Sequence, residues 1–226
     1  MATSVSNVHV SKHPCLRAKL SLLRSKATNA RDTKQLVHEI ATIVGCEALA
    51  QGLKTTETGK SVTPLGYEYT TESIGPGSVC LVPILRSGLS MVDALQSLLP
   101  EPVPIHHLGM YREKTTLDPV EYYNNLPYHK AGDQSKIPEL AIVVDPIIAT
   151  GSTVCAAIET LRDWGVPRII AISVLASEGG LQKAAAAWPE GVDLWVGAVD
   201  AGTDDNGMIK PGVGDIGDRL FLTVGK

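Results

Sequence analysis

The sequence predicts an α/β fold in which a central parallel sheet is flanked by helices. Three segments support this prediction, because each passes from an apolar run through a loop into an amphipathic helix: 78–99, 140–164 and 168–188. Apolar runs without polar alternation are typical of strands that are covered on both faces. Repeated strand, loop and helix units imply parallel pairing with right-handed crossovers. With 226 residues and 44% apolar composition, the chain is long enough for one such domain with a full core.

The chain begins with a segment that shows no periodicity. We therefore expect residues 1–10 to form a flexible start. Pro14 suits the first turn of a helix, and Leu16, Leu20 and Leu23 lie on one face of that helix. The first predicted element is accordingly a short amphipathic helix.

A second helix and an arm are predicted before the sheet. Thr28 or Asn29 can cap this helix, and its apolar stripe continues to about Leu49. Residues 54–69 are polar at first and are then interrupted by a proline and a glycine. Such a pattern indicates an edge strand or a hairpin arm.

The first core strand is predicted at 78–84, and a third strand follows at 103–110. Arg86 comes directly after the first of these strands, where its role is either a salt bridge at the helix start or contact with a phosphate. Residues 111–138 then form a long polar segment rich in tyrosine. Segments of this length are typical of mobile lids and binding loops, although a surface insertion is the alternative.

The central segment AIVVDPIIATGST, 141–153, combines a buried strand, an acid and a loop of small hydroxyl residues. A helix follows the loop and ends near Gly165. Backbone N–H groups in such a loop converge on the helix N-terminus, where the dipole favours an anion. The simpler interpretation of Thr150–Thr153 is that a Ser or Thr side chain only caps the N-terminus of the helix. Asp145 favours a ligand, because a carboxylate at the end of a strand can accept hydrogen bonds from sugar hydroxyls.

The segment lacks both the Walker A pattern and the G-x-G-x-x-G pattern. The acid and the loop together indicate a holder for ribose 5-phosphate. The C-terminal segment 200–226 is rich in glycine and acids and has little helix signal. It is either an acidic surface loop or, through the backbone groups of Gly212–Asp215, a site for a planar base.

Composition limits the partners of the chain. The net charge of −4 and the pI near 5.9 argue against nucleic acid and anionic membranes as partners. The four cysteines are scattered without a C-x-x-C pair, which predicts buried reduced thiols. No signal-peptide core and no run of eighteen apolar residues is present, so we expect a cytoplasmic protein.

Four segments, in this order, resemble those of the uracil phosphoribosyltransferases, which belong to the type I phosphoribosyltransferases. They are HPCLRAKLSLLR (13–24), VPILRSGLSMVDAL (82–95), YREKTTLDPVEYYNNLP (111–127) and VVDPIIATGST (143–153). The tail resembles the uracil-binding segment of the family. The resemblance implies a single domain, 1–226, with a small hood and a long flexible arm at 111–138. Its parts would be N-terminal helices (1–53), the core sheet (54–199) and a uracil-binding segment (200–226).

The resemblance also implies a reaction, in which the phosphoribosyl group of PRPP passes to N1 of uracil and gives UMP and pyrophosphate. The implied PRPP-binding residues are Arg86, Arg112, Asp145, Pro146, Ile147, Ile148, Ala149, Thr150, Gly151, Ser152, Thr153 and Asp215. The implied uracil-binding residues are Ile209, Gly214, Asp215 and Ile216. Arg112, Asp145 and Asp215 carry the implied catalytic roles. Mg²⁺ would arrive bound to PRPP, without a ligand cluster on the protein.

The sequence departs from the family at several positions. IATGST replaces LATGGS, Met208 stands where a tyrosine is usual, and Phe221-Leu222-Thr223 replaces Phe-Gly-Thr. Two alternatives therefore stay open: a sensor of UMP or PRPP without turnover, and the same chemistry on hypoxanthine or orotate. The resemblance implies a homodimer or homotetramer, and it leaves a GTP effector open.

Overall fold

The computed structural model describes residues 6–113, 119–128 and 137–223 and confirms the α/β architecture. The described helices are α1 (Pro14–Arg24), α2 (Ala30–Gly52), α3 (Leu89–Gln96), α4 (Ser152–Trp164), α5 (Glu178–Ala187) and α6 (Ile216–Phe221). The described strands are β1 (Val8–Val10), β2 (Lys54–Val62), β3 (Glu68–Gly75), β4 (Val79–Leu85), β5 (Leu108–Arg112), β6 (Pro119–Asn124), β7 (Leu140–Val144), β8 (Ile147–Ile148), β9 (Ile169–Ser177), β10 (Val192–Asp200), β11 (Gly202–Thr203) and β12 (Ile209–Lys210). Among these helices, none has both the length and the apolar composition that a membrane span requires.

Within the described residues, eight strands form the main sheet. The order is β1, β10, β9, β7, β4, β5 and β6, and β8 pairs separately with β9. Neighbouring strands run parallel except for β6, which is antiparallel to β5. Because β4 and β7 are parallel neighbours, their carboxyl ends lie side by side. Open α/β sheets bind ligands at that edge.

Strand β7 shows why the central apolar run lacks polar alternation. Leu140, Ile142 and Val144 pack in the core shared with α1, α2 and α3. Ala141 and Val143 point the other way and pack with α4 and α5. Successive side chains of a strand alternate between the two faces of a sheet, so helices on both faces require apolar residues at every position.

The structure corrects the prediction for the N-terminal segment. Val8–Val10 forms a short strand at the sheet edge and pairs in parallel with β10, so a strand precedes the first two helices. Three residues are too few for a pattern of alternation, so this strand cannot be predicted from the sequence alone. The first two helices themselves are confirmed, and the side chain of Asn29 caps α2 by accepting a hydrogen bond from the Asp32 N–H.

The two predicted arms have more regular structure than the sequence indicated. β2 and β3 form an antiparallel hairpin, which confirms the hairpin interpretation. Within 111–138, β6 folds back on β5, so this arm is partly a hairpin. Residues 114–118 and 129–136 of the predicted flexible arm lie outside the described residues. The tail, where little helix signal was present, contains α6, whose first turn is capped by the Asp215 carboxylate.

All four cysteines are free, but the prediction that they are buried holds for only two. Cys80 and Cys155 are buried, whereas Cys15 and Cys46 are exposed on α1 and α2. Both exposed thiols belong to helices whose opposite faces cover the sheet. Burial raises the pKa of Cys80 to about 12, and burial also raises the pKa of Cys155.

Thiol labelling tests this arrangement. Because the thiolate is the reactive form, groups with a raised pKa stay protonated and unreactive near pH 8. We expect iodoacetamide to label Cys15 and Cys46 in the folded protein and all four cysteines after unfolding in urea. Peptide mass spectrometry gives the position of each label. Rapid labelling of Cys80 in the folded state would contradict the buried position of β4.

Candidate active site

A cavity of about 290 Å³ lies at the carboxyl ends of β4 and β7. Four parts of the chain line it, and they are distant in sequence. They are the end of β4 with its loop (84–87), the acid and loop after β7 (Asp145, 147–151, 153 and 154), the β5–β6 hairpin (Met110, Tyr111 and Tyr122) and the tail (207–209 and 213–217). The cavity therefore joins the predicted phosphate-binding residues 150–153, called the phosphate loop below, to the predicted base-binding segment.

The phosphate loop requires glycine at one position. Gly151 has φ of 78°, a left-handed conformation that β-carbons disfavour. A Cβ there would also lie 2.4 Å from the carbonyl oxygen of Gly180. This close approach brings the start of α5 against the loop just before α4 begins.

Ser177, the cap of α5, also holds the loop before α4 against the start of α5. Its hydroxyl donates a hydrogen bond to the carbonyl oxygen of Ala149 at 2.5 Å and accepts one from the Gly180 N–H at 2.9 Å. One side chain thus caps α5 and holds the phosphate loop. The N–H groups at the start of α4 are thereby kept in place for an anion.

Asp145 lies at the end of β7 and faces the cavity beside the loop that follows β4. The hydroxyl of Ser87 donates to Asp145 Oδ1 at 2.9 Å. Sequence reasoning missed Ser87, because nothing in the sequence showed that β4 and β7 are neighbours. A hydrogen bond to a carboxylate limits the rotation of that side chain. Asp145 is therefore oriented before a ligand arrives.

Arg86 connects the β4 loop to the tail. Its guanidinium carbon lies 5.7 Å from the centroid of the Phe221 ring, within the range of a cation–π contact. Its Nη2 also donates to the Thr223 hydroxyl at 3.4 Å. The side chain is exposed at the cavity edge, so a cation stands beside the opening.

The tail is anchored by an ion pair that sequence reasoning missed. The two guanidinium nitrogens of Arg24 donate to the two carboxylate oxygens of Asp200, each at 2.7 Å. Asp200 also accepts from the Gly212 N–H at 3.0 Å, and Arg24 donates to the Gly212 carbonyl oxygen at 2.8 Å. Both backbone groups of Gly212 are thus held by the pair, and the turn after it, which is predicted to bind the base, is fixed to α1.

A second arginine fastens α6 to the end of α1. Arg219 Nη1 donates to the carbonyl oxygens of Leu23 and Val213, both at 2.6 Å, and its Nη2 donates to the carbonyl oxygen of Ser25 at 3.2 Å. Burial lowers the pKa of Arg219 from its usual value, but an arginine keeps its charge at neutral pH. Carbonyl groups at the C-terminal end of α1 thus accept hydrogen bonds from Arg219 of the tail.

Most of the predicted site residues are brought together in this cavity. Its lining includes Arg86, Asp145, Ile147, Ile148, Ala149, Thr150, Gly151, Thr153, Ile209, Gly214, Asp215 and Ile216. Pro146 and Ser152 do not line it. Pro146 is buried, and its carbonyl oxygen accepts the N–H groups of Val174 and Leu175. The side chain of Arg112 lies outside the described part of the structure.

Two tyrosines of the tyrosine-rich segment, neither of them among the predicted site residues, also line the cavity. Tyr111 and Tyr122 lie on paired strands of the β5–β6 hairpin, and their ring centroids are 6.1 Å apart. The alternation of the hairpin, with a bulge after Gly109, places both rings on the cavity side. In the described ranges, no cluster of three or more His, Cys, Asp or Glu side chains is arranged to hold a metal ion.

The mostly parallel sheet, the helices on both of its faces and the cavity at its carboxyl edge are consistent with one class of protein, the type I phosphoribosyltransferases. The family described as uracil phosphoribosyltransferase matches residues 10–223. The chain belongs to the uracil phosphoribosyltransferase family.

Individual relatives agree with this assignment. A uracil phosphoribosyltransferase from Finegoldia magna is 39% identical over 219 residues, which covers 97% of this chain and 100% of the relative. One from a Thermoanaerobacter species is 38% identical over 218 residues and covers 96% and 98% of the two chains. A solved structure of a protein from Aquifex aeolicus superposes with a TM-score of 0.85 at 28% identity, over 96% of this chain and 98% of that one.

Proposed function

We propose that the protein transfers the phosphoribosyl group of PRPP to N1 of uracil, which gives UMP and pyrophosphate. The observation that carries this proposal is that the phosphate loop, Asp145 and the tail all line one cavity. A phosphate, a ribose and a base would each face a separate group of residues there. The names of the relatives support uracil as the base.

The 5′-phosphate of PRPP would bind at Thr150–Thr153. The left-handed Gly151 exposes N–H groups of the loop, and the N-terminus of α4 adds the positive end of its dipole. The hydroxyls of Thr150 and Thr153 supply further donors at the cavity wall. Asp145 would accept hydrogen bonds from the 2′ and 3′ hydroxyls of the ribose.

The pyrophosphate would face Arg86 and Arg112. Arg86 lies at the cavity edge, and the backbone of Arg112 lies opposite Pro119 where the described part of the β5–β6 hairpin ends. Both cations would stabilise the negative charge that the leaving group gains. Bond breaking ahead of bond making puts positive charge on the ribose, so alignment and charge stabilisation matter more than a strong base.

Uracil would lie against Ile209 and the backbone of 214–216. Gly214 has φ of 73°, which turns the backbone toward the cavity without a side chain. Backbone N–H and carbonyl groups suit a base with alternating carbonyl and N–H groups, and they would disfavour the amino group of cytosine. An unmatched buried backbone group costs about 1 to 3 kcal/mol. Asp215 would orient the base and help to remove its proton.

Mg²⁺ would reach the site bound to PRPP. The described lining holds two carboxylates, Asp145 and Asp215, and Mg²⁺ is commonly bound by one or two carboxylates together with substrate phosphates. The ion would neutralise charge on the pyrophosphate. The residues present therefore fit an ion that the substrate delivers.

We propose a cytoplasmic homodimer or homotetramer as the working form. The exposed β2–β3 hairpin supports self-association, because Leu65 and Tyr67 on its turn are 84% and 71% exposed. Apolar groups grouped on an arm favour contact with another protein surface. A GTP effector would be detected as a higher rate of UMP formation in the presence of GTP than in its absence.

The direct test is turnover with radiolabelled uracil, PRPP and Mg²⁺. We expect many equivalents of UMP per protein, and we expect unlabelled uracil to compete where hypoxanthine and orotate do not. Tight binding of PRPP without product would instead indicate a sensor. Competition by another base would keep the chemistry and change the substrate.

Replacement of Arg112 by alanine tests the role of the arm. We expect kcat/KM to fall by about 10²-fold, the scale of one lost contact to charge in the transition state. The KM for uracil is expected to change little, because the arginine would face the pyrophosphate. Steady-state rates with each substrate varied in turn measure both effects. A variant as active as the parent would remove Arg112 from the mechanism.

A further inference from the structure

Lys183 on α5 reaches the start of α4. Its Nζ donates a hydrogen bond to the hydroxyl of Ser152 at 2.8 Å, and Ser152 is the first residue of α4. Ser152 follows Gly151 in the phosphate loop. Lys183 is not among the residues that the resemblance implied, and its hydrogen bond brings a cation to this loop.

The position of this ammonium is unfavourable in the protein alone. A helix N-terminus carries partial positive charge, so cations are favoured at the opposite end of a helix. In the part of the chain that the structure describes, Lys183 makes no salt bridge that would offset the repulsion. The ammonium of Lys183 and the partial positive charge at the N-terminus of α4 therefore lie together beside the loop. An anion bound between them would relieve their repulsion.

Packing places Lys183 there even though its side chain is exposed. The backbones of Gly151 and Gly180 touch so closely that a Cβ on either would overlap the other segment. Lys183 follows Gly180 by three residues and so lies on the same face of α5. The contact that fixes the phosphate loop thus also aims Lys183 at the start of α4.

Ser152 links Lys183 to the cavity wall through hydrogen bonds. An ammonium group only donates, so the Ser152 oxygen must accept its hydrogen bond. Thr150, which lines the cavity, donates its hydroxyl to the same oxygen at 3.4 Å. Ser152 itself lies outside the cavity lining, so it connects the ammonium of Lys183 to a residue of the cavity wall.

We infer that Lys183 is a positioning residue for the 5′-phosphate of PRPP and that it acts through Ser152. The inference rests on the proposed function, and it adds a charged group to a loop otherwise made of backbone and hydroxyl donors. Lys183 holds the Ser152 hydroxyl, and through it the Thr150 side chain, in place and adds positive potential. Lys183 contacts Ser152 and does not line the cavity, so we expect it to act on binding and to leave the chemical step unchanged.

Kinetics of Lys183→Met test the inference. We expect the KM for PRPP to rise about fivefold, on the scale of one exposed charge contact, with kcat and the KM for uracil unchanged. Lys183→Arg should keep most of the PRPP affinity. Lys34→Met, which removes an exposed lysine from α2, is the matched control for net charge and should leave the KM for PRPP unchanged.

Thermal unfolding separates positioning from a structural role. Because the ammonium repels the start of α4, we expect Lys183→Met to leave the Tm of the ligand-free protein equal or slightly higher. The same variant should show a smaller rise in Tm than the parent when ribose 5-phosphate is added. A lower Tm without ligand, together with an unchanged KM for PRPP, would overturn the inference.

A double-mutant cycle tests the path through Ser152. If Lys183 acts through that hydroxyl, Lys183→Met should change the KM for PRPP little in a Ser152→Gly background, so the effects of the two substitutions will not add. Independent, additive effects would overturn the relay. Calorimetric titration with ribose 5-phosphate gives the same comparison without turnover, so the result does not depend on which base the parent accepts.

Discussion

Asp145→Asn is expected to lower kcat/KM for PRPP by about 10² to 10³-fold. The carboxylate lies at the end of β7, where Ser87 donates to it and where the ribose of PRPP would bind. The amide keeps the shape of the side chain but loses the negative charge that would balance positive charge on the ribose. It also offers a single acceptor oxygen where the carboxylate offers two.

Two further variants give this prediction its controls. Ser87→Ala removes only the hydrogen bond that orients Asp145, so we expect a loss of about tenfold, mainly in the KM for PRPP. Asp163→Asn makes the same chemical change at a side chain on α4 that is 80% exposed and should leave the rates unchanged. Steady-state rates at varied PRPP measure all three. Parent-like activity of Asp145→Asn would remove the carboxylate from the site.

Arg24→Met is expected to destabilise the fold and to release the tail that we propose binds the base. The side chain of Asp200 is 8% exposed, so the variant leaves a nearly buried carboxylate without its cation. Breaking such a pair costs about 3 kcal/mol or more in the free energy of unfolding. Gly212 loses a donor at the same time, and the turn that precedes Gly214 is no longer fixed. We therefore expect a higher KM for uracil as well.

Urea unfolding and uracil kinetics measure the two effects separately. Lys60→Met, at an ion pair whose side chains are 67% and 63% exposed, is the control and should change the free energy of unfolding by less than about 1 kcal/mol. Arg24→Met with Asp200→Leu removes both charges and should recover much of the stability but not the affinity for uracil. Unchanged uracil kinetics in that double variant would show that the pair has no part in base binding.

The sequence predicted the central part of the molecule well, for local physical reasons. The strand, acid, loop and helix between Ala141 and Trp164 follow one another in the chain, so their spacing alone places Asp145 beside the phosphate loop. The faces of α1 and the cap of α2 also depend on residues a few positions apart. Short-range patterns of this kind are visible in a single sequence.

The contacts that the sequence did not reveal join distant segments. Arg24 and Asp200 are 176 residues apart, and Lys183 and Ser152 are 31 apart on different helices. Ser87 meets Asp145 only because β4 and β7 are neighbours in the sheet. Patterns of polar residues show that such groups are present, but strand order decides which of them meet. The short strands β1 and β6 were missed because pairing with a neighbour, rather than alternation, defines them.

A crystal structure with UMP bound tests the central claim most directly. We predict the 5′-phosphate at the N-terminus of α4 within hydrogen-bond reach of Thr150–Thr153, the ribose hydroxyls on Asp145, and the uracil ring against the backbone of 214–216. The ring should lie beneath the turn that Arg24 and Asp200 hold. UMP bound outside this cavity, or bound with its phosphate turned toward the tail, would contradict the account.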